Sequence, residues 1–393
     1  MKLGPPVPYD PNNPDHNDPT KYKIVEYEST GRRPSSVSFN VSLKQDLSRR
    51  DIQINAMAID VDGNIIDYFN GRQAIKNKII QTVGNPNDRF EEDRLRVLRA
   101  ARFAGKLGFD IEPTTKKAMT KHADKLKKLS VERIKDELWK MASQSGDKFA
   151  DTIRILDETG ILKIILPELI NMKEFPENIE HHPEAYADGG KGTSFDHMMQ
   201  ALRKNKIANP LINMSILLHD IGKGYTYKNK DGKHTFYGHA EEAKSIIDTI
   251  AKRLKLSNKE KDAIMFAVIN HMKLHNGLKM KPSKIIKLVK DENWELLKAV
   301  SYCDDSCRGT LFNKRNFEEI INGMEKISKK WGDKTVGKVV KIVDGDRVMK
   351  LTGLPPSKKV GDIIKKVTDE VLNKGIKSQK EIDELVLKYM KEK

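Results

Sequence analysis

The chain has 393 residues, with 72 lysines plus arginines against 56 aspartates plus glutamates, a formal charge of +16 and 38% apolar residues. At roughly 150 residues per domain this is enough for two or three domains with cores of their own. No run approaches the ~18 apolar residues a spanning helix needs, and prolines stand where a signal peptide has its apolar stretch, so a membrane protein is excluded and the cytoplasm is the expected address. Cys303 and Cys307 are too few for a disulfide framework. The positive surplus favours a polyanionic partner, because phosphates attract lysine and arginine and release counterions on binding.

In chain order, residues 1–20 are rich in proline, asparagine and aspartate without periodicity and read as an extended or disordered arm. Residues 22–67 carry short alternating segments, with Asp62-Gly63 between two apolar runs as in a hairpin turn. Beyond Gly71 the spacing becomes helical, with apolar residues three and four apart over 91–107, 114–127, 131–144 and 149–159. The polar stretch HHPEAYADGGKGTS, from His181, reads as a boundary before a second helical region that ends near Arg308. The lysine-rich tail follows.

Three groups of residues carry chemistry. The first is FEEDRLR, residues 90–96, expected to open a helix whose apolar stripe is Leu95, Leu98 and Phe103. Asp93 and Arg96 then share a face. A carboxylate accepts hydrogen bonds and a guanidinium donates them, so the pair complements an edge that offers an amino group beside a ring-nitrogen acceptor. Cytosine and adenine present that edge; guanine and uracil present the opposite polarity. An intrahelical ion bridge is the plainer alternative. The second group is DLSRRDIQINAMA, residues 46–58, where Arg49 and Arg50 could hold a triphosphate and Asp51 or Asn55 could bond sugar hydroxyls.

Read together, GRRPSSVSFNVSLKQDLSRRDIQINAMAID, GNIIDYFNGRQAIKNKIIQTVGNPNDRFEEDRLRVLRAARFAGKLGFDI, VERIKDELWKM and VDGDRVMKLTGLPPSKKVGDIIKKV resemble the class II tRNA nucleotidyltransferases, the CCA-adding enzymes, whose bacterial relatives include poly(A) polymerases. The resemblance runs from about Gly31 to the C-terminus. It implies that Arg49, Arg50, Asp51 and Asn55 belong to the motif handling sugar and triphosphate. It also implies that Glu92, Asp93 and Arg96 belong to the motif in which aspartate and arginine choose incoming C and A. The implied partners are tRNA, CTP and ATP. The family's palm holds two magnesium ions on an Asp-x-Asp pair upstream of these motifs. No such pair is found there; Asp60-Val61-Asp62 lies downstream and reads as turn chemistry, so Mg2+-dependent transfer is expected to need palm elements from a second polypeptide.

The third group is His197, His219-Asp220, His239, His271 and His275, then Asp304-Asp305; six of the ten histidines fall between His197 and His275. Histidine and carboxylate ligands from several helices suit Mg, Mn, Ni, Fe or Zn. The order His, His-Asp, Asp and the phrase LLHDIGKG resemble the HD phosphohydrolases. The resemblance implies a metal on His197, His219, Asp220 and a late aspartate, Asp304 favoured over Asp305, with His239 and His271 as second-site or phosphate contacts. The lysine-rich helices at 116–135 and 273–290 could grip an acceptor stem.

The expected architecture is mainly α: an arm (1–20), a strand-rich partial palm (21–72), helical neck and body (73–180), an HD domain (181–309) and a helical tail (310–393). The expected function is tRNA 3′-end maturation or repair. The alternatives are a metal-dependent phosphohydrolase acting on RNA ends or cyclic nucleotides, and a non-catalytic tRNA-binding remnant.

Overall fold

The computed structural model describes residues 42–391 except 231, 332–342, 375 and 377, so the 1–20 arm and the segment 22–41 lie outside the described residues. Helix α1 (Leu43–Ser48) begins in a reciprocal cap: the Ser42 hydroxyl accepts from Gln45 N while Gln45 Oε1 accepts from Ser42 N. A single 3-10 turn (Gln53–Asn55) leads to β1 (Ala58–Ile59), antiparallel to β2 (Ile65–Ile66), and then α2 (Gly71–Lys76). These strands are two residues long, shorter than the alternating pattern implies. Side chains take the backbone donors that a longer ladder would use: Asp60 accepts from the N–H of Asp62 and Asn64, and Asp67 from those of Phe69, Gly71 and Arg72.

Strand β3 (Ile79–Ile80) pairs in parallel with β4 (Asp110–Ile111), and between them run α3 (Pro86–Glu92) and α4 (Leu95–Leu107). The periodicity over 91–107 predicts one helix here; the chain instead breaks at Asp93, whose φ of −145° and ψ of 106° are extended. Asp93 Oδ1 accepts from Leu95 N at 3.0 Å, capping the second helix. Helices α5 (Pro113–His122), α6 (Val131–Ala142), α7 (Gly146–Glu158) and α8 (Leu162–Ile165) follow. α4 and α7 approach closely at Gly105, where an added Cβ would stand 2.0 Å from Thr152 Oγ1 and 3.0 Å from Lys148 O.

The second helical region comprises α9 (Ser194–Lys204), α10 (Pro210–Leu218), α11 (Lys223–Thr226), the hairpin β5 (Lys228–Lys230) and β6 (Lys233–Thr235), α12 (His239–Arg253), α13 (Asn258–Asn270), α14 (Pro282–Val289), α15 (Trp294–Cys307) and α16 (Lys314–Trp331). α10 is apolar nearly all round and packs against α6, α9, α13 and α15, as a central helix must. Its buried Asn213 donates to Ala142 O and Gln144 O, tying it to the end of α6. One buried core runs from Ile52 to Cys307 without a break at 181–194. Tail helices at Gly345–Thr352, Lys358–Lys374 and Gln379–Lys391 close on a separate core of Val348, Val367, Val371 and Val386. The chain is mainly α, and no described helix is long and apolar enough to cross a membrane.

Candidate functional site

The α3–α4 junction brings the first two sequence motifs into contact. Arg96 Nη2 donates to Arg49 O at 2.8 Å, while its Nη1 reaches Glu92 Oε2 at 2.7 Å and Arg89 O at 3.4 Å. Asp93 and Arg96 therefore do not form the side-by-side pair of one continuous helix. Asp93 is paired with Arg133 of α6, whose Nη2 lies 3.0 and 2.9 Å from the two carboxylate oxygens. Asp51 is buried and accepts from Ile52 N at 3.0 Å, Asn55 Nδ2 at 3.2 Å and Arg99 Nε at 2.6 Å. Arg49 and Arg50 both pair with Asp46 and keep much of their side chains exposed.

Arg99 and Arg133 went unassigned in the sequence. Arg99 lies three residues after Arg96, on a neighbouring position of α4, and Arg133 stands within the phrase VERIKDELWKM. Among the lysines expected to grip RNA, Lys116 already pairs with Glu158, Lys125 with Glu91, Lys135 with Glu260 and Lys287 with Asp369. Asp60 and Asp62 sit in the β1–β2 turn, where Asp60 also accepts from Asn64 Nδ2, so they do not fit the magnesium-holding pair of a palm.

The histidines converge elsewhere, at the end of α10. His219 follows that helix directly, His197 comes from α9, His239 opens α12, His271 follows α13, and Asp304 lies in the last turn of α15. Nδ1 of His219, His239 and His271 lies 2.7, 3.0 and 2.6 Å from the carbonyls of Ile216, Phe236 and Val268. A carbonyl can only accept, so Nδ1 carries a proton and Nε2 is the ring nitrogen turned toward the carboxylates. His197 Nδ1 is fixed likewise by Glu184 Oε1 at 2.6 Å.

The four Nε2 atoms surround Asp220. Its Oδ2 lies 3.2 Å from His219 Nε2 and 3.6 Å from His197 Nε2; its Oδ1 lies 3.5 and 3.6 Å from His239 and His271. Asp304 Oδ1 lies 3.1 Å from His197 Nε2 and 3.7 Å from His219 Nε2. Asp305 turns away, to His275 and Arg308.

The stretch expected to be a boundary also lies in this site. Glu184 bonds His197 and, at 3.0 Å, His182, while Glu177 accepts from Ser194 Oγ and from Lys223 Nζ, which also reaches Asp220 Oδ2 at 2.9 Å. The signals for these residues were the two histidines beside Glu184 and the spacing of three between Asp220 and Lys223.

Burial would raise the carboxyls, yet Asp220 and Asp304 are held well below the usual range by the imidazoles and, for Asp220, by Lys223. Burial would lower His219, but Asp220 and Asp304 push it up to about 9. Hydrogen bonds from His182 and His197 hold Glu184 at about 2 against burial. Four buried carboxylates, those of Glu177, Glu184, Asp220 and Asp304, thus face one buried ammonium and the raised imidazoles of His197 and His219. Nε2 of His239 and of His271 is buried without a hydrogen-bond partner. Excess negative charge and orphaned, lone-pair-bearing nitrogens are what a divalent cation satisfies, so these residues fit a metal.

Fold and site define a helical nucleotidyltransferase-type protein with an HD-type histidine–aspartate centre. Residues 11–81 match the family described as Poly A polymerase head domain, 108–173 the Probable RNA and SrmB-binding site of polymerase A, and 195–306 the HD domain. The Multifunctional CCA protein of Vibrio campbellii is 31% identical over 291 residues, 71% of this chain and 68% of its own length. That of Shewanella frigidimarina is 33% identical over 289 residues, 71% of this chain and 66% of its length. A Bacillus stearothermophilus CCA-adding enzyme solved in complex with CTP superposes with a TM-score of 0.62 at 25% identity, over 90% of this chain and 76% of that one. The chain belongs to the multifunctional CCA protein family, and it spans 66% and 60% of the length of the Shewanella frigidimarina and Pseudoalteromonas atlantica members.

Proposed function

We propose that this chain selects and holds nucleotides for template-independent addition of C and A to tRNA 3′ ends, with catalytic carboxylates supplied from a second polypeptide. The observation that carries this reading is the Arg96–Arg49 contact, which joins the base-choosing motif to the triphosphate motif across 47 residues of sequence. In this account Asp93 accepts from the exocyclic amine of C or A and Arg96 donates to the adjacent ring nitrogen. Arg133 and the Leu95 N–H fix the Asp93 carboxylate plane and leave one lone pair, on Oδ2, for the amine. Guanine and uracil would set carbonyl against carboxylate and N–H against guanidinium, leaving polar groups unpaired at about 1–3 kcal/mol each. Arg49 and Arg50 exchange Asp46 for the triphosphate, while Asp51 orients Arg99 and Asn55 beneath the sugar. The test is incubation of the full chain with tRNA lacking its CCA end and each labelled nucleotide, alone and with the polypeptide encoded upstream. Incorporation of C and A only in the mixture supports the reading; tRNA binding with incorporation in neither refutes it and leaves an RNA-binding remnant.

A second reading rests on the convergence of the four Nε2 atoms. His197, His219, Asp220 and Asp304 would hold a divalent metal, and His239 and His271 would meet Asp220 from its other side. Such a metal, when bound, activates water toward a phosphoester. The protein's own part is to fix four imidazole tautomers and to bury the charge. Hydrolysis of 2′,3′-cyclic nucleotides or RNA-terminal phosphates, abolished in His219→Ala, tests it; equal turnover in that variant overturns it.

A further inference from the structure

The histidine–aspartate centre opens into a cleft of about 220 Å³ lined by Asp220, Lys223, His239 and Asp304 on one side and by His275, Asn276 and Arg308 among the others. The second group belongs to no metal-type cluster among the described residues. Arg308 caps α15 four residues after Asp304, one turn further along the same face. Its guanidinium is anchored at Nη2 by Asp305, and the same Asp305 Oδ1 lies 3.3 Å from His275 Nδ1. Arg308 Nε, in contrast, is buried and has no hydrogen-bond partner. The side chain is 25% exposed and lines the cleft, and a guanidinium clamped at one end with a donor still unpaired is preorganised to bind an acceptor that arrives from outside.

We propose that Arg308, held by Asp305 and flanked by His275, is the phosphate-reading group of this cleft. The inference rests on the phosphohydrolase reading and adds to it the residues that recognise the substrate. The two adjacent acids then divide the work: Asp304 faces the imidazoles, and Asp305 positions the Arg308 cation. A terminal phosphoester has a nonbridging oxygen for the guanidinium of Arg308 and another for the metal side of the cleft. The volume is below the ~300–1,000 Å³ that encloses a drug-sized ligand and suits a terminal phosphate group.

The test uses the full chain with added Mn2+, 2′,3′-cyclic AMP as substrate and inorganic phosphate as inhibitor. Losing a charge-assisted contact in Arg308→Gln raises KM and the phosphate inhibition constant roughly 10- to 100-fold. Arg308→Lys recovers part of that loss, and kcat and bound Mn2+ stay near the wild-type values in both. Asp305→Asn, with its geometry loosened, shifts KM in the same direction without losing metal. Turnover by the wild type with an unchanged KM in Arg308→Gln overturns the inference alone, as does loss of bound Mn2+ in that variant. A wild type that neither turns over substrate nor binds phosphate overturns the phosphohydrolase reading and this inference with it.

Discussion

Glu137 offers a direct test of how helix α6 is joined to α4. Its carboxylate is buried and accepts from Arg102 Nε at 2.7 Å and from Lys140 Nζ at 2.8 Å. Arg102 is 12% exposed and lies over the Phe103 ring at 4.4 Å, whereas Lys140 is 56% exposed. Removing one partner of a buried pair costs about 3–5 kcal/mol, because the other charge is stranded; the solvent path left to Arg102 places Glu137→Gln near the lower end, about 3 kcal/mol. The exposed Lys140 arm adds about 0–1 kcal/mol. Burial would raise the Glu137 carboxyl, but the hydrogen bonds from Lys140 and Arg102 outweigh it and hold it below its ordinary value. A depressed folded-state value means that the stabilisation is complete above the unfolded-state value of about 4.3 and fades as pH falls below it through the folded value. Urea unfolding followed by circular dichroism should show the gap between wild type and Glu137→Gln narrowing from pH 7 to pH 3. A gap under about 0.5 kcal/mol at pH 7, or one unchanged at acid pH, would refute the argument.

Gly105→Ala should lower the thermal midpoint, although alanine ordinarily favours a helix interior by ~1 kcal/mol; its Cβ would meet Thr152 Oγ1 at 2.0 Å and Lys148 O at 3.0 Å, an overpacking loss of about 1–3 kcal/mol. Adding Thr152→Ala should restore part of it, and a more stable single variant would contradict the close approach. Glu184→Gln should weaken Mn2+ binding about 10- to 100-fold in equilibrium dialysis, since the carboxylate fixes the His197 tautomer; unaltered affinity would remove Glu184 from the site. Asp304→Asn should lose bound Mn2+ where Asp305→Asn keeps it, and the reverse pattern would reassign the two acids.

The helices from 113 to 158 were legible because each carries a continuous apolar stripe against one core. The break at Asp93 was not, since the apolar spacing runs straight through it. Its signals were local: Asn85-Pro86 opens α3, and an aspartate stands two residues before Leu95 as a cap. Asp304 and Asp305 could not be told apart by periodicity, because α15 is covered on both sides and both acids are buried. The stretch from His181 falls between the matched segments 108–173 and 195–306, and its part in the site was not legible because a loop that lines a polar site has the same composition as a linker. Arg133 and Lys223 needed the fold, since their partners Asp93 and Glu177 lie 40 and 46 residues away.

The account stands most directly on the polarity of Asp93 and Arg96, the residues proposed to choose the base. Exchanging them, Asp93→Arg with Arg96→Asp, reverses which side donates and which accepts. Relative incorporation of the four nucleotides by the reconstituted mixture should then move from CTP and ATP toward UTP and GTP. Retention of the CTP and ATP preference by the exchanged variant would contradict it.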